Sequence, residues 1–262
     1  MLASFRSVCD LVTDAGEVVA LVGPGIGNGP LNVVLDQGWG AALSAGARFV
    51  VADQVVHVEA VKVDFSRATR WDARPDWDRL RACHVPGTSQ VPGTSGVHLL
   101  AAAGPAVEAA VAAFQQAWRG GSIADLQLAI CNLLGLGPGL TPAGDDWLAG
   151  WLLGQHLGGD LREPAPSRPK GLRDLEGLIV EVAAERTTTL SRAFLACAAA
   201  GEADEAWHEL LDALAKESAN QRISESANQR IEEAAARILR HGATSGAAML
   251  AGFFASLAAS DS

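Results

Sequence analysis

The chain has 262 residues, 49% of them hydrophobic, and a formal net charge of −10. That length suits one large domain or two small ones with a sizeable core. The acidic balance argues against binding nucleic acid through its phosphates, which needs a basic face. No uncharged apolar run reaches the ~20 residues of a membrane span. The opening MLASFRSVCDLVTDAGE carries Asp10 and Asp14 and lacks the apolar run of a signal peptide. A soluble, cytoplasmic protein is the expectation, with no nucleic-acid or membrane partner. The four cysteines, Cys9, Cys83, Cys131 and Cys197, form no CxxC pair, so buried, reduced thiols are expected.

The first seventy residues read as β structure. GEVVALV, LNVVL and RFVVADQVVHVEAVKVDF are rich in valine, with glycine-dense breaks between them. In the last run Val56 and Val58 share one phase, whereas Val61, Val63 and Phe65 share the other. One core cannot take both sets without a bulge or turn near Glu59–Ala60. No helical pattern separates these strands, so an antiparallel or mixed sheet is expected.

From Trp77 onward the pattern is helical. Residues 97–119 are alanine-rich, with a break expected at Gly104-Pro105. Residues 123–134 read as a further helix. After a glycine-rich loop, Trp147, Leu148, Trp151, Leu152 and Gln155 follow the spacing of an amphipathic helix. REPAPSRPK, residues 162–170, reads as a surface loop. Leu172, Leu175, Leu178, Ile179 and Val182 restart a helix. Two more are expected over about 202–240, and a last one from Ser245. The fold class is α+β: a β-rich region over 1–75, then a helical region over 76–262, integrated into one structural unit. Two short tandem duplications, VPGTSQ/VPGTSG (85–96) and ESANQRIS/ESANQRIE (217–232), are too short for solenoid repeats and fit exposed sites.

Four stretches carry candidate chemistry. LGLGPGLTPAGDDWLAG, residues 134–150, places alternating glycines before a helix start that suits an anion. It lacks the lysine of a P-loop, and it follows a helix rather than the strand of a dinucleotide fold. Asp145 suits an N-cap. Capping uses one carboxylate, so Asp146 is left for a base, a ligand contact or a metal. GPGIGNGPLN, residues 23–32, reads either as a hairpin turn, on its Asn-Gly pair, or as a second ligand loop. RTTTLSRAFL, residues 186–195, holds three β-branched threonines that suit a helix start, with Arg192 a turn further on to meet a carboxylate or phosphate. In RHGATSGAAMLAGF, residues 240–253, Gly242 ends one helix and Thr244 or Ser245 caps the next. His241 suits the C-terminal end of the first of these helices. The other histidines show no ligand spacing.

Four motifs, GLGPGLTPAGDDWLAG, GNGPLN, RTTTLSRAFLACAAAGE and GATSGAAMLAGF, resemble the AllH family in sequence and order over about residues 20–255. Its namesake is a subunit of oxamate carbamoyltransferase in anaerobic allantoin degradation, a branch of purine catabolism. The resemblance implies a subunit of an enzyme taking oxalurate and phosphate to oxamate and carbamoyl phosphate. Its partners would be the small anionic substrate, phosphate and the other carbamoyltransferase subunits; a homo-oligomer stays open. The alternative is a non-catalytic small-acid-binding or scaffold subunit. The resemblance implies a histidine or small residue where this chain has Ala243; were a histidine there catalytic, this chain would lack it, and His241 is not at the matching position.

The site expected on these grounds has Asp145 and Asp146 as catalytic carboxylates. Asn28, Gly29, Gly137, Gly139, Leu140, Thr141, Gly144, Thr188, Arg192, Thr244, Ser245 and Gly246 are its substrate-binding set. Neither a tightly bound cofactor nor a structural metal is expected. Neighbouring residues of a helix point about 100° apart, so the two aspartates do not converge on one ion. Mg²⁺ enters only as an ion bridged by substrate oxygens.

Overall fold

A computed structural model describes residues 1–38, 44, 46–59, 61–83, 99–158, 172–218 and 225–260. The chain divides into two compact units, Met1–Ala73 and Arg74–Ser262. The fold is α+β, with strands in the first and helices in the second.

The N-terminal unit holds two sheets. In the first, β1 (Ala3–Ser4), β2 (Val8–Val12), β3 (Val18–Val22) and β4 (Asn32–Val34) lie in that order. β1, β2 and β3 pair antiparallel, but β4 joins β3 in parallel, with Ala20 opposite Asn32. The hairpin reading of the Asn-Gly loop therefore fails, because residues 23–31 carry the chain back to a parallel start. Asn32 Nδ2 donates to the Gly27 carbonyl at 3.0 Å and helps shape that return.

The second sheet is the antiparallel meander β5 (Phe49–Ala52), β6 (Val55–Val58) and β7 (Val61–Asp64). The phase change in the valine run is a turn between β6 and β7, where Glu59 has φ 50°; Ala60 lies outside the described residues. A second turn, at Asp53 (φ 49°) and Gln54 (φ 63°), has the left-handed pair of a tight hairpin. The core joins Cys9, Leu11 and Leu21 to Val56, Val58 and Val63.

The helical unit opens with α1 (Trp77–Ala82). A 3-10 turn at Ala101–Ala103 ends at Gly104, and Pro105 starts α2 (Pro105–Gly120). Then come α3 (Ile123–Leu133), α4 (Ala143–Gly158), α5 (Leu172–Arg186), α6 (Thr189–Ala199), α7 (Glu205–Ser218), α8 (Glu225–Ile238) and α9 (Ser245–Ser260). The VPGTSQ/VPGTSG pair and the proline-rich stretch 162–170 fall outside the described residues.

The amphipathic reading of α4 is corrected. Every residue from Ala143 to Leu157 is buried, so α4 is the central helix, covered on all sides, with Asp145, Asp146, Gln155 and His156 its buried polar residues. Trp147 and Trp151 stack at 5.3 Å, and Phe114 of α2 meets both edge-on at 5.1 Å. Each such side chain contributes about 1.5–3 kcal/mol by burial.

α4 packs on α9 with backbones nearly touching. A Cβ at Gly150 would stand 1.8 Å from the Met249 carbonyl oxygen, and one at Gly252 would stand 2.0 Å from that of Trp147. One turn on, Gly154 faces the Phe253 carbonyl in the same register, so α4 and α9 run parallel. α6 is parallel to α4 as well. Thr187, just before α6, meets Asp145 at one end, and Ala198 meets His156 at the other. The N-termini of three helices therefore gather at one end of the unit.

Candidate functional site

That end holds the glycine-rich loop. Pro142 decides how it enters α4, because its carbonyl accepts the N–H groups of Asp145 at 3.0 Å and Asp146 at 3.1 Å. The helix thus begins at Ala143 and encloses both aspartates in its first turn. Asp145 is therefore not the N-cap that the sequence suggests. Its Oδ1 accepts from the Gly135 N–H at 2.7 Å, and its Oδ2 accepts from the Thr187 hydroxyl. One carboxylate fastens the start of the loop to the α5–α6 junction. Gly135 has φ 76°, and a Cβ there would stand 2.4 Å from the Arg186 carbonyl, so only glycine fits the approach.

Asp146 is buried at 6% exposure, and its Oδ2 has no hydrogen-bond partner among the described residues. Burial pushes its pKa up to about 7; the hydroxyls of Ser245 and Thr141 draw it down, and the Asp145 carboxylate raises it. Burial also raises Asp145, against the hydrogen bonds that lower it. No Lys, Arg or His among the described residues lies near enough to draw either carboxyl down. Arg192 is half-buried, one turn along α6 from Thr188, and does not pair with either aspartate.

The hydroxyls of Thr141 and Ser245 are 2.9 Å apart. That bond brings the glycine loop and the 242–246 turn to one place, as their shared grammar suggested. Thr188 joins them from α6: its hydroxyl donates to the Leu140 carbonyl at 2.5 Å and accepts from the Ser191 N–H at 3.0 Å as the helix cap. Thr244 precedes α9 and takes the Ala248 N–H on its carbonyl at 3.0 Å. Gly137 and Gly139 hold the loop open with φ 120° and 102°.

Two expected ligand donors are already in use. The Gly144 N–H bonds to the Leu136 carbonyl and the Gly246 N–H to that of His241, both at 3.0 Å. Both glycines serve close packing, with Cβ positions 2.1 Å from the Leu133 carbonyl and 1.9 Å from that of Ile238. The N–H groups of Ser245 and Ala247 on α9, and of Thr189 and Leu190 on α6, have no partner among the described residues. Asn28 and Gly29 stand in the N-terminal unit, in the β3–β4 loop. The sequence reading missed Thr187 as a contact of Asp145; its only signal was the threonine run.

The opposite end of α4 holds a second polar cluster. His156 is buried against Trp77, its ring 5.3 Å away. Its Nε2 lies 3.1 Å from the Ala198 carbonyl and 3.3 Å from Glu176 Oε1, and burial pushes its pKa down. His241 follows the C-terminal end of α8, as its position in the sequence suggests, and its Nδ1 sits 3.6 Å from Asp204 Oδ2. Among the described residues no three His, Cys, Asp or Glu side chains gather as for a metal ion. No helix there is long and apolar enough to cross a membrane. Of the thiols, all four free, Cys9 is buried as expected, whereas Cys83, Cys131 and Cys197 are half-buried.

Residues 133–257 match the model of the family described as oxamate carbamoyltransferase subunit AllH. The resemblance read from the motifs is borne out over that stretch. It runs from the end of α3 into α9 and takes in the loop, both aspartates, the threonine run and the start of α9. No curated protein and no solved structure matches the chain.

Proposed function

We propose, with the family match of residues 133–257 as premise, that this chain is a carbamoyltransferase subunit whose gathered helix N-termini bind a small ureido acid. The reaction is that of oxalurate with phosphate. A phosphate oxygen attacks the carbamoyl carbon, and the bond from that carbon to the bridging nitrogen breaks. The nitrogen leaves as oxamate and needs a proton; the carbamoyl group departs on phosphate. Asp146 is the group suited to supply that proton. With a pKa of about 7 it is part protonated near neutrality, which suits acid catalysis forward and base catalysis in reverse. Unspent N–H groups on α9 and α6 suit the carboxylate and the developing oxyanion. Asp145 acts through the loop that it fastens. Mg²⁺ would enter only between substrate oxygens. The observation that carries the reading is the buried, unpartnered Asp146 Oδ2 beside the Thr141–Ser245 pair.

One observation favours the second reading, a non-catalytic small-acid-binding or scaffold subunit. Among the described residues no cation shifts either aspartate, and phosphate is usually held by one. The test is carbamoyl phosphate formation from oxalurate and phosphate by the purified chain, alone and with its partner subunits. Turnover that Asp146→Asn abolishes supports catalysis on this chain. Full turnover by a complex carrying Asp146→Asn supports the second reading.

A further inference from the structure

Two carboxyls share the first turn of α4, and Asp146 keeps an acceptor without a donor. An acceptor in that state selects for what fills it. A ligand oxyanion there would meet a carboxylate at contact distance, with Asp145 alongside and, among the described residues, no cation that offsets the repulsion. An N–H group meets no such cost and satisfies the orphan. The neighbouring free donors are the Ser245 and Ala247 N–H groups, at the positive end of α9. The site is thus two-sided, with an acceptor for N–H on α4 and donors for an anion on α9. The parallel packing of those helices fixes the two sides at the same end.

We propose that Asp146 Oδ2 accepts a hydrogen bond from the amide nitrogen of the bound acid, while the start of α9 holds its carboxylate, so that the site tells a carboxamide from a carboxylate. This rests on the carbamoyltransferase reading for its choice of ligand. It goes further by fixing which end of that ligand faces which helix. The acid is then an α-keto-type amide such as oxamate, and the isosteric dianion oxalate is the molecule excluded. Removing a required hydrogen-bonding group discriminates more strongly than removing a methylene, because a buried polar group is left unpaired.

The probes are oxamate and oxalate, titrated calorimetrically into the full chain above pH 8, where Asp146 is ionised. Oxamate is expected to bind at least tenfold tighter than oxalate. Asp146→Asn should bring the two within threefold, since its amide can donate to oxalate. If that variant fails to fold, the wild-type chain serves at lower pH. Below about pH 6 a protonated Asp146 can donate, so oxalate should gain on oxamate, with Asp145 the other titrating group that faces it among the described residues.

Equal binding of the two acids above pH 8, a preference kept in Asp146→Asn, a preference unchanged below pH 6, or binding of neither acid overturns the inference. Oxamate selectivity with no carbamoyl phosphate formed, even with partner subunits, would sink the transferase reading and leave the inference standing. Turnover with oxalate bound as tightly as oxamate would do the reverse.

Discussion

Thr141 and Ser245 meet through their hydroxyls at 2.9 Å, although 104 positions separate them in sequence. One closes the glycine loop, the other opens α9, and both draw down the pKa of Asp146. Ser245→Ala is expected to raise that pKa further, because a lowering group is lost. Carboxyl-carbon NMR titration of the variant reads it directly. The lost pair should cost about 1 kcal/mol of stability.

Asp145 accepts from a backbone N–H and a threonine hydroxyl while buried. Asp145→Ala leaves both donors unmet and should cost about 2–3 kcal/mol. Thr187→Val should cost less, since the Gly135 bond survives. Urea midpoints at constant slope measure both. Equal stability of Asp145→Ala and wild type would mean that the carboxylate fastens nothing.

Stability should depend on pH through Asp146. The unfolded carboxyl loses its proton near 3.8, the folded one at about 7. Between those values the folded state binds the extra proton, so stability falls as pH rises through the window. At about 1.36 kcal/mol per unit the fall amounts to as much as about 4 kcal/mol. The raised pKa of Asp145 adds in the same sense. Asp146→Asn should flatten most of the slope in denaturant titrations from pH 4 to 8. A wild-type slope of opposite sign would contradict the burial argument.

The glycines of the α4–α9 contact give a graded test. Gly150→Ala and Gly252→Ala force a Cβ within about 2 Å of a backbone oxygen, and overpacking of this kind costs about 1–3 kcal/mol or more. Gly177→Ala, on the exposed face of α5 with nothing within 4 Å, should stabilise by about 0.5–1 kcal/mol. Thermal melts of the three variants rank them.

Cys197 should resist iodoacetamide at pH 8, because burial, with the Glu202 carboxylate beside it, pushes its pKa up to about 12. Mass spectrometry of the native protein after a short pulse reads the labelling. Labelling of Cys197 as fast as a free thiol would contradict the raised pKa.

Helix positions were legible because burial leaves a period in the sequence, and the starts at Pro105, Thr189 and Ser245 carry chemical markers. The gathering of loop and turn was legible in their shared glycines and hydroxyls. What stayed hidden depends on partners far along the chain. Nothing local says that Asp145 turns from its own helix toward Thr187, because the choice is made when Pro142 closes the first turn. The parallel pairing of β3 and β4 was hidden too, since an Asn-Gly pair fits a hairpin equally well. α4 was misread as amphipathic because a helix buried on all sides still contains a periodic apolar subset.

The close packing of α4 on α9 sets a clock on biosynthesis. α4 exposes Trp147, Leu148 and Trp151 as it is made, yet the surface that covers its glycine face lies about a hundred residues downstream. At ~5–20 residues per second, that interval is about 5–20 s. Over that time the nascent chain carries an uncovered apolar helix, with α5–α8 as partial shelter. The residues that close the site are therefore translated about a hundred positions after the loop itself. A stop codon before Ser245 would leave the loop and both aspartates in the polypeptide, with α4 permanently open to aggregation.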